Sequence, residues 1–78
     1  MRFDALQEAA VGHCLVRIRS LHIDLPGAAG WIGTWEVYRL PWHHKKLPVH
    51  TGETDLQTSE SLAAGMARTI ATAFAIAL

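Results

Sequence analysis

The chain has 78 residues, half of them hydrophobic and 18% charged, a balance that excludes an intrinsically disordered chain and fits one small globular domain spanning residues 1–78. Seven basic and seven acidic residues cancel, which excludes a global field drawing the protein onto nucleic acid or an anionic membrane, so any such binding needs a local patch. The single cysteine, Cys14, excludes an intrachain disulfide.

At the amino end, Asp4 reads as an N-cap with Gln7 three residues later and Gly12 as a stop, which predicts a short helix over residues 5–10. The same segment carries Asp4 and Glu8 and has no continuous apolar core, so it does not read as a secretion signal and a cytoplasmic location is expected. Residues 14–23 alternate, with Val16 and Ile18 pointing one way and Arg17 and Arg19 the other, the pattern of a half-buried strand. Leu21 and Ile23 share the parity of the arginines, which predicts a bulge near Ser20 that returns them to the core side.

Pro26-Gly27 and Gly30 predict a hairpin loop over residues 24–30. A second strand follows over residues 31–40, rich in aromatic and β-branched side chains, with Trp31, Trp35 and Val37 on one face and Thr34, Glu36 and Tyr38 on the other. Pro41 ends it and opens a loop over residues 41–46. A short strand is predicted at residues 47–51, where Pro48 cannot donate to a ladder and so marks an edge. Residues 53–57 are a polar connection, after which Thr58 or Ser59 caps a final helix with Glu60 in its first turn.

Thr69 to Leu78 carries no charge and is too short to cross a bilayer, so this segment is expected to be buried against protein. At about 100° per residue, Leu62, Ala63, Met66, Ile70, Ala73, Phe74 and Ala77 fall on one face, which should cover the sheet and leave Ile76 and Leu78 exposed. The expected fold is α+β: a three-stranded antiparallel meander with a C-terminal helix packed on one face, preceded by a short N-terminal helix. Its core is expected to be Val16, Ile18, Trp31, Trp35, Val37, Leu62, Met66, Ile70 and Phe74.

From Gly30-Trp31 through Arg39, and again from Leu56-Gln57-Thr58-Ser59-Glu60 into Leu62-Ala63-Ala64-Gly65-Met66-Ala67, the chain resembles small stand-alone bacterial β-β-β-α domain proteins of unknown function. Those have a similar glycine-tryptophan strand and a threonine-capped, alanine-rich terminal helix. The resemblance implies the fold and no activity. The order of elements also looks like that of the double-stranded RNA-binding domain, but Ser59, Glu60 and Ser61 stand where that family carries lysines, and an acidic helix start repels phosphate.

His43, His44 and His50, with His13 beside Cys14, are the material for a metal site. Adjacent residues on an extended segment point apart, and the spacing matches no zinc pattern, so solvated loop histidines are expected, with no metal and no other cofactor. His13 and His22 read as strand-end residues. Catalysis needs a nucleophile with a base, or two carboxylates, in a pocket. Cys14 and His13 face opposite sides of a strand, Glu36 and Asp24 have no partner acid, and the chain is short for a ligand cavity. No enzymatic activity and no catalytic residue is expected.

Binding surfaces remain. Arg17, Arg19 and Tyr38 share the uncovered sheet face, and His43, His44, Lys45 and Lys46 make the adjoining loop basic, a combination of cations and a stacking ring that suits single-stranded nucleic acid. Glu36, across from Arg17 or Arg19, gives the same residues a place in an ordinary solvated charged face. Trp42 stands between Pro41 and His43, where a large ring either anchors a partner or folds back on the core edge. A free edge on the first strand, and Ile76 and Leu78 on the helix, offer further contact surface. The expected function is a non-catalytic protein-interaction module, a homodimer or a regulator or inhibitor binding a larger protein. Trp42, His43, His44, Lys45 and Lys46 are its first contact site. Nucleic-acid binding through Arg17, Arg19, Tyr38 and the basic loop is the alternative, and no membrane partner is expected.

Overall fold

The computed structural model describes residues 2–3 and 6–78. Among these the chain forms β1 (Arg2–Phe3), β2 (Gln7–Val11), β3 (Cys14–Leu25), β4 (Ala28–Arg39), β5 (His50–Glu53) and α1 (Glu60–Ala77). The strands make one antiparallel sheet with β3 and β4 at its centre, β5 beyond β4, and β1 and β2 sharing the far side of β3. The fold is α+β, and the one helix among the described residues lies at the C-terminal end, where a helix was expected.

The helix predicted over residues 5–10 does not form. Residues 7–11 are a strand, while Asp4 and Ala5 lie outside the described residues. A six-residue helix cannot hold itself, whereas the outer edge of β3 offers a ladder of unpaired N–H and C=O groups. Glu8 thereby sits opposite Arg17 and Val11 opposite Cys14, so Val11 joins the core. The edge of β3 that was expected to be free is occupied, and the sheet has five strands where three were predicted.

The β3–β4 register runs unbroken from Cys14 opposite Arg39 to Leu25 opposite Ala28, so there is no bulge near Ser20. Leu21 and Ile23 stay on the arginine face, where Leu21 has Ile32 as its cross-strand partner, and Ser20 is buried opposite Gly33. The loop predicted over residues 24–30 contracts to the two-residue Pro26-Gly27 turn, because the strands pair to their ends. Twelve residues per strand give about 40 Å of hairpin, close to the 41 Å length of the molecule.

The last strand covers His50–Glu53 where residues 47–51 were predicted. Pro48 falls in the loop, where its missing N–H costs no ladder bond. Beyond β5 the chain goes on pairing with β4. Thr54 N–H donates to the Gly33 carbonyl at 2.8 Å, Gly33 N–H to Thr54 Oγ1 at 3.0 Å, and Gln57 and Trp31 exchange two backbone bonds.

Ser59 caps α1 by accepting from the Leu62 N–H at 3.2 Å, with Glu60 in the first turn. The helix meets the sheet through Ala63, Ala64, Ala67, Ala71 and Ala75, packed on Cys14, Val16, Ile18, Trp35 and Val37. This corrects the predicted face: Leu62, Met66 and Phe74 are exposed, Ala73 and Ala77 are exposed beside them, and Ile70 and Trp31 are only half-buried. Closeness of approach is the cause. A Cβ at Gly33 would stand 2.1 Å from the Ala63 carbonyl oxygen and 2.9 Å from the Ala67 methyl, so at this point the helix rests on the strand backbone with room for nothing larger than the alanines it presents there. The bulk of the core comes from the sheet instead, chiefly from Trp35, whose indole lies where a Cβ on Gly52 would be 2.3 Å away. No described helix is long and apolar enough to cross a membrane.

Candidate interaction surfaces

Arg17, Arg19 and Tyr38 share the sheet face opposite α1, as the alternation predicts, with Arg17 across from Glu36, Arg19 from Thr34 and Tyr38 from Leu15. Tyr38 is nevertheless not an open stacking ring. It is 5% exposed, because Trp42 folds back from the loop after β4 and meets it edge to face at 6.1 Å. The same indole holds Arg17, whose Cζ lies 5.0 Å from the ring centroid. Arg17 Nε is also 3.1 Å from Glu8 Oε2. Its N–H does not point along that line, so the contact is a charge pair without a hydrogen bond. Burial pushes the Tyr38 phenol above its ordinary pKa, the Glu36 carboxylate adds to the rise, and Arg17 opposes it.

Trp42 thus ties the loop to the adjoining sheet face through Tyr38 and Arg17. Within the loop, Lys46 is committed to structure: its Nζ donates to the carbonyls of Arg39 and Pro41, and its N–H to that of His43 at 2.9 Å. His43, His44 and Lys45 are exposed, and Trp42 keeps 36% of its surface in solvent.

His50 stands apart from the loop histidines. Its Nδ1 accepts from Trp35 Nε1 at 3.2 Å and its ring stacks on Phe74 at 3.5 Å, so it fastens α1 to β5. Cys14 is buried in the core. Among the described residues no three His, Cys, Asp or Glu side chains gather in a way that could hold a metal ion.

The larger apolar surface is the outer side of α1. Leu62, Met66, Phe74, Ile76 and Leu78 are 51, 41, 39, 71 and 49% exposed. Arg68 is the only charged residue from Ser61 to the end of the chain. A groove of about 270 Å³ runs along this side, lined by Gly65, Met66, Thr69 and Ile70. The Thr69 hydroxyl is satisfied within the helix, donating to the Gly65 carbonyl at 3.0 Å. Sequence reasoning assigned Leu62, Met66, Ile70 and Phe74 to the core, and of these only Ile70 packs against it. The signal that could have found them is the alanine at 63, 67, 71 and 75: a strict i, i+4 row of small side chains marks close approach and turns the neighbouring large row outward.

Comparison of the chain with protein-family models, with curated proteins and with solved structures finds no match.

Proposed function

We propose that this protein is a non-catalytic interaction module, acting as a homodimer or as a regulator that binds a larger protein, and that the outer side of α1 is its principal contact surface. One observation carries the reading. From Ser61 onward α1 presents large apolar side chains to solvent with a single charged residue, Arg68, among them, whereas an ordinary surface helix puts charged residues on that side. The Trp42 loop, with His43, His44 and Lys45 open beside a half-exposed indole, is the second contact surface.

The test is retention on immobilised protein. The wild-type chain is expected to hold a protein, itself or another, that a Met66→Glu, Ile76→Glu double variant releases; equal retention by both would refute the reading. The exposed Trp42 ring beside basic side chains is what a nucleic-acid strand would use, and it supports the competing reading. In that case Trp42 fluorescence would be quenched by a single-stranded oligonucleotide at low salt, with the effect lost as salt rises.

A further inference from the structure

The outer side of α1 has a shape as well as a polarity. Leu62, Met66, Ile70 and Phe74 follow one another four residues apart, and immediately beside them run Ser61, Gly65, Thr69 and Ala73. A ridge of large side chains thus lies against a trough of small ones, and the groove lined by Gly65, Met66, Thr69 and Ile70 is where the two rows meet. Rows of this spacing on two helices interdigitate when the helices cross at about 50°. A twofold axis running along the rows would set the ridge of one copy over the trough of the other and, by symmetry, the reverse.

From this we infer that the occupant of the groove is a second copy of the chain, the two α1 helices pointing the same way and crossing near Gly65 and Thr69 to form a sheet–helix–helix–sheet dimer. The inference rests on the reading of α1 as the contact surface and names its partner. Area sets its strength. With roughly 200 Å² available on a fully bared large side chain, the exposures of Leu62, Met66 and Phe74 leave on the order of 260 Å² of ridge per copy. Two such ridges come to about 500 Å², which fits a weak, reversible dimer rather than a tight one. Charge supports it too: the chain is neutral overall, so copies do not repel, and Arg68 belongs to the row of Ala64, Thr72 and Ile76, outside the trough. Nothing lies within 4 Å of where a Cβ on Gly65 would sit, so the trough is open in the single chain.

Sedimentation equilibrium of the full chain from low to high micromolar concentration, with far-ultraviolet circular dichroism to verify folding, tests the inference. The wild type is expected to dimerise. Thr69→Glu should weaken the dimer at least tenfold by placing a charge at the crossing. Gly65→Leu is the sharper variant: it adds apolar surface and improves helix propensity, so unspecific association would strengthen, but it fills the trough and should weaken this dimer about tenfold. Oxidation of Thr69→Cys chains should give a covalent dimer, while a mixture of Ser61→Cys and Ala77→Cys chains should not cross-link between the two positions. A wild-type monomer throughout, a dimer indifferent to both Thr69→Glu and Gly65→Leu, or cross-linking between positions 61 and 77 would each overturn the inference. The broader reading fails on a different result: if the chain is monomeric and wild-type and Thr69→Glu baits retain the same proteins, α1 contacts nothing, whereas proteins lost with Thr69→Glu would keep the surface and replace only the second copy.

Discussion

The two faces of the sheet are covered by different means. On one, an 18-residue helix lies close through a row of alanines, with Ile70 packed beside them, over Trp35, Ile18 and Val37; on the other, a single indole, Trp42, closes over Tyr38 and Arg17. Of the large side chains of α1, Ile70 and Phe74 reach the sheet at its margin, against the core and His50, and Leu62 and Met66 stand outside it. Burial in this molecule follows the distance of approach more than the hydrophobicity of the residue, since alanine fills the helix–sheet contact while Leu62 and Met66 stand in solvent.

The contact at Gly33 is the tightest point and gives the largest expected effect. Gly33→Leu would drive a side chain into the Ala63 carbonyl and the Ala67 methyl and force α1 off the sheet, a loss of about 3 kcal/mol or more. A domain of this length has roughly 4–12 kcal/mol in all, so the urea midpoint should fall sharply. A loss below about 1 kcal/mol would mean that the helix floats over the sheet and that closeness is not what selects alanine.

Exchanging sizes on the two sides of α1 sharpens the contrast. Ala67 is fully buried, and Ala67→Leu should cost about 2 kcal/mol through overpacking, although it adds hydrophobicity. Leu62 is half in solvent, and Leu62→Ala should cost less than about 0.5 kcal/mol when unfolding is followed at low micromolar protein. Equal losses at the two positions would erase the distinction between the sides.

What was legible in the sequence follows the same division. The alternation of Val16 and Ile18 with Arg17 and Arg19, and of Trp35 and Val37 with Glu36 and Tyr38, fixed both central strands and their faces, because period 2 is a local property. Leu21 and Ile23 misled, since their apolar character argued for the core side, whereas Leu21 pairs with Ile32 across the strands on the other face. Residues 7–11 became a strand because β3 had an edge to fill, a fact that lies outside the segment. The side of α1 that is buried was misread because leucine, methionine and phenylalanine dominate any sum of hydrophobicity around a helix, while Gly33, thirty residues away from Ala63, decides what can approach. The sequence left open whether Trp42 anchors a partner or folds back; the ring folds back by way of Arg17, 25 positions earlier, a pairing no local pattern encodes.

His50 links α1 to the sheet at the end remote from Gly33. His50→Ala removes the acceptor for Trp35 Nε1 and the surface on which Phe74 stacks, and should cost about 1–2 kcal/mol. His50→Phe keeps the stack and loses only the acceptor, so it should recover part of that loss in thermal unfolding. If the two variants are equally unstable, the hydrogen bond outweighs the stack.

Effects on the indole-covered face are modest, and they are best read through Tyr38, the single tyrosine of the chain. Its phenol is held above its ordinary pKa by burial and by Glu36, so the folded state keeps the proton to a higher pH than the unfolded state, which loses it near pH 10. The stabilisation is therefore fully present below about pH 10 and is lost as pH rises through the folded value. Wild-type stability should decline across that alkaline window, and Tyr38→Phe should flatten the decline. Because no other phenol absorbs, ultraviolet titration of tyrosinate reports Tyr38 directly. Trp42→Ala uncovers the ring and removes the indole from Arg17, at a cost of about 1 kcal/mol in stability, and should shift the titration midpoint down toward the value of free tyrosine. A midpoint unmoved by Trp42→Ala would mean that the strands, and not the indole, keep water from the phenol, and the loop would then be free to leave the sheet and present Trp42 elsewhere.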